Sequence, residues 1–173
     1  MRAAMTLALI LACATAWAQT KQSVTYIDEN GQTQTVDATL LTASTSSTDM
    51  SGWYVASGTF TNNNRLAVNY DYATLNLILA DDCHLTMIKG LQVPSHATLN
   101  IYSQSKGSSM GKLTITTPDT NYAGIGGSAN PTHSIPSGNI NIYGGDLNIT
   151  GGSGGAGIGG GRQAAAQGAI LIS

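Results

Sequence analysis

The 173-residue sequence predicts an all-β fold, a parallel β-helix (β-solenoid) of three-sided coils behind an N-terminal hairpin and irregular cap. Three observations predict it. First, the C-terminal part repeats itself. Ala123-Gly124-Ile125-Gly126-Gly127 returns 33 residues later as Ala156-Gly157-Ile158-Gly159-Gly160, and Leu113-Thr114-Ile115-Thr116 returns 34 residues later as Leu147-Asn148-Ile149-Thr150. A unit this short cannot bury its own apolar face and must stack on a neighbour. Second, apolar and polar residues alternate within these runs, the period of a half-buried strand, and no long window carries a helical period. Third, charged residues make up only 9% of the chain while hydrophobic ones reach 42%. Solubility then falls to Thr, Ser, Asn and Gly, and the apolar content excludes a disordered chain.

Residues 1–18 read as an export signal. Arg2 gives the positive start, a short apolar run follows, and Ala16-Trp17-Ala18 forms a small-x-small cleavage site before Gln19. The run is too short to span a bilayer. A secreted or cell-surface protein is expected. Ile10-Leu11-Ala12-Cys13 also resembles a lipobox, which would leave Cys13 acylated instead.

Residues 19–51 form the expected hairpin and cap. Alternating runs within 21–36 flank Asp28-Glu29-Asn30-Gly31, and Asn-Gly between such runs is a strong hairpin signal. Residues 37–51, rich in Thr and Ser, read as loop or irregular strand. The stacked coils are expected over 52–173, opening with one short strand at 53–60 and another at 65–69 around an Asn62-Asn63-Asn64 turn.

From Thr74 the runs fall into three faces. Face one carries 75–78, 99–102, 140–143 and 170–173; face two carries 85–88, 113–116 and 147–150; face three carries 91–93, 123–125 and 156–158. Inward positions on face one are Leu75, Leu77, Leu99, Ile101, Ile140 and Ile142, each worth roughly 1.5–3 kcal/mol when fully buried. Glycine clusters at 144–145, 151–152 and 159–161 mark corners. No helix follows 154–161 to make it a phosphate loop, and 162–167 reads as a loop. The chain stops with face one begun, which is expected of a fragment of a longer protein or of an open last edge.

Without the signal, six basic residues face nine acidic ones. No basic stripe exists, which argues against nucleic acid and anionic membranes as partners, and the mature chain holds no membrane span. Cys83 would then be alone, and its apolar setting predicts a buried, inert thiol.

The outward columns of face one hold Asn100 and Asn141 beside Tyr102 and Tyr143. Aromatic rings flanked by amides suit a polysaccharide or cell-surface glycan, since rings stack on sugar C–H faces and amides bond hydroxyls. The same columns could serve only to stabilise the sheet. Asp81-Asp82 is an adjacent acidic pair around which calcium is conceivable, with a solvated turn as the plainer reading; no other cofactor is expected. Outward Thr86, Thr114, Thr116 and Thr150 suggest an ice-binding array, but Ile88 and Asn148 interrupt it. A polysaccharide-lyase-like enzyme is the alternative from another class. It needs clustered acids and a basic residue, whereas Arg65 and Arg162 fall in distant coils and His84, His96 and His133 in different ones. No enzyme is expected.

The segments WYVASGTF, LNLILADDCHLTM, GLQVPSHATLNIYSQS and AGIGGG resemble those of exported bacterial proteins of the right-handed parallel β-helix type, over residues 52–173. The layout is similar, more loosely, to a bacterial β-helical carbohydrate-binding domain family. The resemblance implies a right-handed, secreted or surface β-solenoid with a scaffold or adhesion role and a glycan as ligand. It maps no catalytic residue onto this chain.

Overall fold

A computed structural model describes residues 20–70, 72–117, 120–129 and 133–173. The export signal expected at 1–18, with the alternative at Cys13, lies outside the described residues. Among the described residues there is no helix, and none therefore long and apolar enough to cross a membrane.

The chain opens with β1 (Lys21–Ile27) and β2 (Thr33–Leu41), paired antiparallel from Lys21 opposite Thr39 to Ile27 opposite Thr33. The turn between them is the expected one, with Gly31 at φ 76°. Strand β2 runs on to Leu41, so the segment expected from residue 37 as loop or irregular strand begins as regular strand. Its last three residues pair in parallel with β3 (Gly52–Ala56), so this part of the backbone satisfies its polar groups in the sheet. The strand expected over 53–60 is two strands, β3 and β4 (Thr59–Asn62), which turn at Gly58 (φ 72°) onto different sheets.

After β5 (Leu66–Ala67) the chain revisits three parallel sheets in rotation. The first continues through β6 (Thr74–Leu79), the second through β7 (His84–Met87), the third through β8 (Leu91–Gln92). The next pass gives β9 (Thr98–Ser103), β10 (Lys112–Thr116) and β11 (Ile125–Gly126). A small antiparallel ribbon, β12 (Ser128–Ala129) with β13 (Ser134–Ile135), interrupts the corner that follows. It helps account for the long spacing between Leu99 and Ile140. Then come β14 (Asn139–Ile142), β15 (Asp146–Thr150), β16 (Ile158–Gly159) and β17 (Ile170–Ile172). The first sheet thus runs β1-β2-β3-β6-β9-β14-β17, the second β4-β7-β10-β15 and the third β5-β8-β11-β16. An all-β chain of parallel sheets without a closed barrel is compatible with a β-solenoid.

Register follows the apolar pattern. Leu75, Leu99, Ile140 and Ile170 lie side by side on the first sheet, and Leu85, Leu113 and Leu147 on the second. On the third, Ile125 faces Leu91 and Ile158. Leu91 therefore aligns with Ile125, two residues away from the expected Ala123. Both registers point the same side chains inward, so parity alone could not choose between them.

The interior of the stack is a dry column of Leu, Ile, Val and Met, with Leu99, Ile101, Leu113, Ile115 and Ile140 fully buried. Cys83 is buried with them, and desolvation pushes its thiol pKa up. At the N-terminal end, residues 42–50 close the column. Met50 is buried and bridges to Val68, while Asn62 donates from Nδ2 to the carbonyls of Thr42 (2.9 Å) and Thr45 (2.8 Å). The triple-Asn turn is thus a clamp: its first residue lies fully inside. At the opposite end Ile170, Leu171 and Ile172 are exposed.

Candidate functional site

The outer surface of the first sheet carries every residue of the expected platform. Asn76, Asn100 and Asn141 form one column, half-buried. Their amides bond one another: Asn100 Nδ2 donates to Asn76 Oδ1 at 2.7 Å, and Asn141 Nδ2 donates to Asn100 Oδ1 at 2.8 Å. An amide ladder of this kind stabilises stacked strands. The central amide has its carbonyl and one N–H engaged within the stack, which leaves less of it to offer a ligand. Asn100→Ala breaks both bonds, and a loss of about 1–3 kcal/mol is expected in urea unfolding.

Tyr102 and Tyr143 are neighbours, with ring centroids 5.2 Å apart and planes 21° from parallel. Tyr102 does not face water as its outward parity suggested; it is only 6% exposed. The hairpin covers it. Tyr26 from β1 sits 4.9 Å from Tyr102 edge-on and 4.7 Å from Trp53, and Gln104 Nε2 donates to the Thr25 carbonyl at 3.2 Å. Burial, then the nearby Glu29 carboxylate, drives the Tyr102 pKa well above its ordinary value, so it stays neutral. Tyr143, at the end of this aromatic row, remains half-exposed.

A groove of about 570 Å³ opens where the row ends. Its walls are the hairpin turn at 28–31, Ser103, Lys106 and Met110, and Tyr143 with Gly144 and Gly145. The Asp28 carboxylate builds the turn. Its Oδ1 accepts from the backbone N–H of Gln32 (2.8 Å) and Asn30 (3.0 Å), and its Oδ2 from Gln34 Nε2 (2.9 Å). The Gln32 amide first, then the Gln34 side chain, hold its pKa below the ordinary carboxylate value. The order this carboxylate gives the turn is therefore present above the unfolded pKa, about 3.9, and lost as pH falls through the depressed folded value. Exchange protection of the Asn30 and Gln32 amides should collapse at that acid step in wild type. The step should be absent from Asp28→Asn, as NMR titration would show.

Asp81 is engaged with the neighbouring loop. Asp81 Oδ1 accepts from Ser105 Oγ at 2.7 Å and its N–H donates to Gln104 Oε1 at 2.9 Å, tying down the loop after β9. Asp82 sits in a left-handed turn at φ 56°. Among the described residues no group of three or more His, Cys, Asp or Glu side chains could hold a metal ion. Arg65, a sequence candidate for a lyase base, is a structural brace. Its guanidinium lies 3.6 Å above the Tyr122 ring, Nε donates to Gln92 Oε1 at 3.2 Å, and Nη1 to the Lys89 carbonyl at 3.2 Å.

No family model, curated protein or solved structure matches this chain. Function must therefore be argued from the groove itself. It joins one half-exposed aromatic ring to a carboxylate-bearing turn and an ammonium, with Lys106 Nζ placed beside Gly31. Sequence reasoning found Tyr143 and missed the hairpin turn opposite it. The available signal was Tyr26, an aromatic on the polar strand of a hairpin, which needs an apolar surface elsewhere to lie on.

Proposed function

We propose that this protein is an exported, non-catalytic, right-handed parallel β-helix. It acts as a surface or extracellular scaffold and binds glycan in the groove walled by Tyr143. The right hand is the one that twisted strands favour for crossovers between parallel neighbours. The resemblance to exported bacterial β-helix proteins supports export and a surface role. A continuous apolar column and a self-bonded asparagine ladder support the scaffold role, because both give a rigid rod whose outer faces can vary.

One observation carries the binding role. The Tyr143 ring is held flat against Tyr102 at the edge of an open groove whose opposite wall is polar. A pre-positioned ring loses little freedom on stacking against a sugar, and the turn supplies acceptors for hydroxyls. A glycan array probed with the mature protein tests it. Tyr143→Ala should weaken bound signals about tenfold while costing only about 1 kcal/mol of stability. Undiminished signals would take the groove out of the function, and silence across the array would leave the scaffold role alone.

A further inference from the structure

The walls of the Tyr143 groove differ in what they offer a ligand. They belong to segments described without a break, 27–31, 103–110 and 143–145. Among the described wall residues the charged side chains are Asp28, Glu29 and Lys106. Asp28 is committed to its own turn, both of its oxygens accepting N–H donors. Glu29 and Lys106 are exposed, and neither enters a hydrogen bond or ion pair among the described residues. The Lys106 Nζ stands 3.8 Å from where a Cβ on Gly31 would lie, so the ammonium sits against the turn. The Glu29 carboxylate lies on the aromatic side of that turn, since after burial it is what most raises the Tyr102 pKa. One groove thus holds an acceptor-only group and a donor-only group of opposite charge, both unengaged.

Mixed charge disfavours both kinds of charged sugar. An acidic sugar brings its carboxylate or sulfate to Asp28 and Glu29, and a free amino sugar brings its ammonium to Lys106. A neutral ligand uses both walls only if it accepts from the ammonium and donates to the carboxylate. A hydroxyl does this but leaves the half-buried wall residues Ile27 and Met110 uncovered. An acetamido group meets all three demands: its carbonyl accepts, its N–H donates, and its methyl covers apolar surface.

We propose that the groove recognises an uncharged N-acetylhexosamine. The pyranose face lies on Tyr143, the acetamido carbonyl accepts from Lys106, its N–H donates to Glu29, and its methyl rests on Met110. This rests on the glycan-binding reading and names the sugar class for the same site. The test is the full mature chain on an array of matched oligosaccharides. Each backbone is displayed in three forms, with an acetamido, a free amine or a hydroxyl at the same ring position, beside acidic glycans. The acetamido form should bind about tenfold more tightly than either matched form. Glu29→Ala/Lys106→Ala removes two exposed, unengaged side chains, so the fold stays intact, and the preference should shrink to within about twofold. Saturation transfer by NMR should mark the acetyl methyl as a protein contact in wild type. Tyr143→Ala should weaken all three forms together. Equal binding of the three forms, still weakened by Tyr143→Ala, would overturn the acetamido assignment and keep the glycan groove. So would a preference for the amine or for acidic glycans. An acetamido preference unchanged in the double variant would overturn the roles of Glu29 and Lys106. Signals indifferent to Tyr143→Ala, or a silent array, would overturn the groove and the sugar class with it.

Discussion

Gly126→Ala should unfold the stack or shift its urea midpoint by the equivalent of roughly 2–6 kcal/mol, combining backbone strain with overpacking. Gly126 lies in β11 at φ 128°, paired to Gln92 on one side and Gly159 on the other. A Cβ there would run into the Gly159 carbonyl, the same oxygen that accepts the Gly127 N–H at 2.7 Å. That clash is with backbone of the next pass and cannot be relieved by rotating a side chain. Gly159 is the internal control. It has nearly the same φ, 126°, yet a Cβ there meets only the Ala156 Cβ and Ile170 Cδ1, both at an ordinary 3.7 Å. Gly159→Ala should therefore show the strain alone, about 1–3 kcal/mol. Equal effects at the two positions would mean that the passes do not approach each other as closely as the third sheet requires.

Leu99→Ala should cost about 2–5 kcal/mol in the same assay. Leu99 is fully buried between Leu75 and Ile140 in the middle of the first sheet. Removing its isobutyl group loses transfer energy and leaves a void that strands bonded on both edges cannot close. Ile170→Ala, in the same column but 42% exposed on the edge strand β17, should stay under about 1 kcal/mol. A Leu99 effect no larger than that of Ile170 would contradict a shared dry interior.

Much of the architecture was legible because alternation is a local signal. Leu75, Leu99, Ile140 and Ile170 align as their flanking Asn and Thr residues imply, and the Asn ladder follows from the same register. Where local signals were degenerate, the reading slipped. Leu91 and Val93 share a parity, so either could oppose Ile125, and in the folded stack it is Leu91 that does. WYVASGTF alternates smoothly through a corner, and only the change of sheet at Gly58 reveals two strands.

The candidate site divides along the same line. Tyr102 and Tyr143 were placed on adjacent rungs from spacing alone, and their rings do stack. Their exposure was not readable, because it depends on β1, more than 70 residues upstream, laying Tyr26 over Tyr102. Alternation along each strand was enough to tell which side chains point into the column and which point out, since strand geometry sets that parity residue by residue. Which outward side chains still meet water depended instead on how distant segments pack in the folded chain. The hairpin folding across the first sheet closed Tyr102 and left Tyr143 at the lip of a groove, because burial is a property of what packs against a surface.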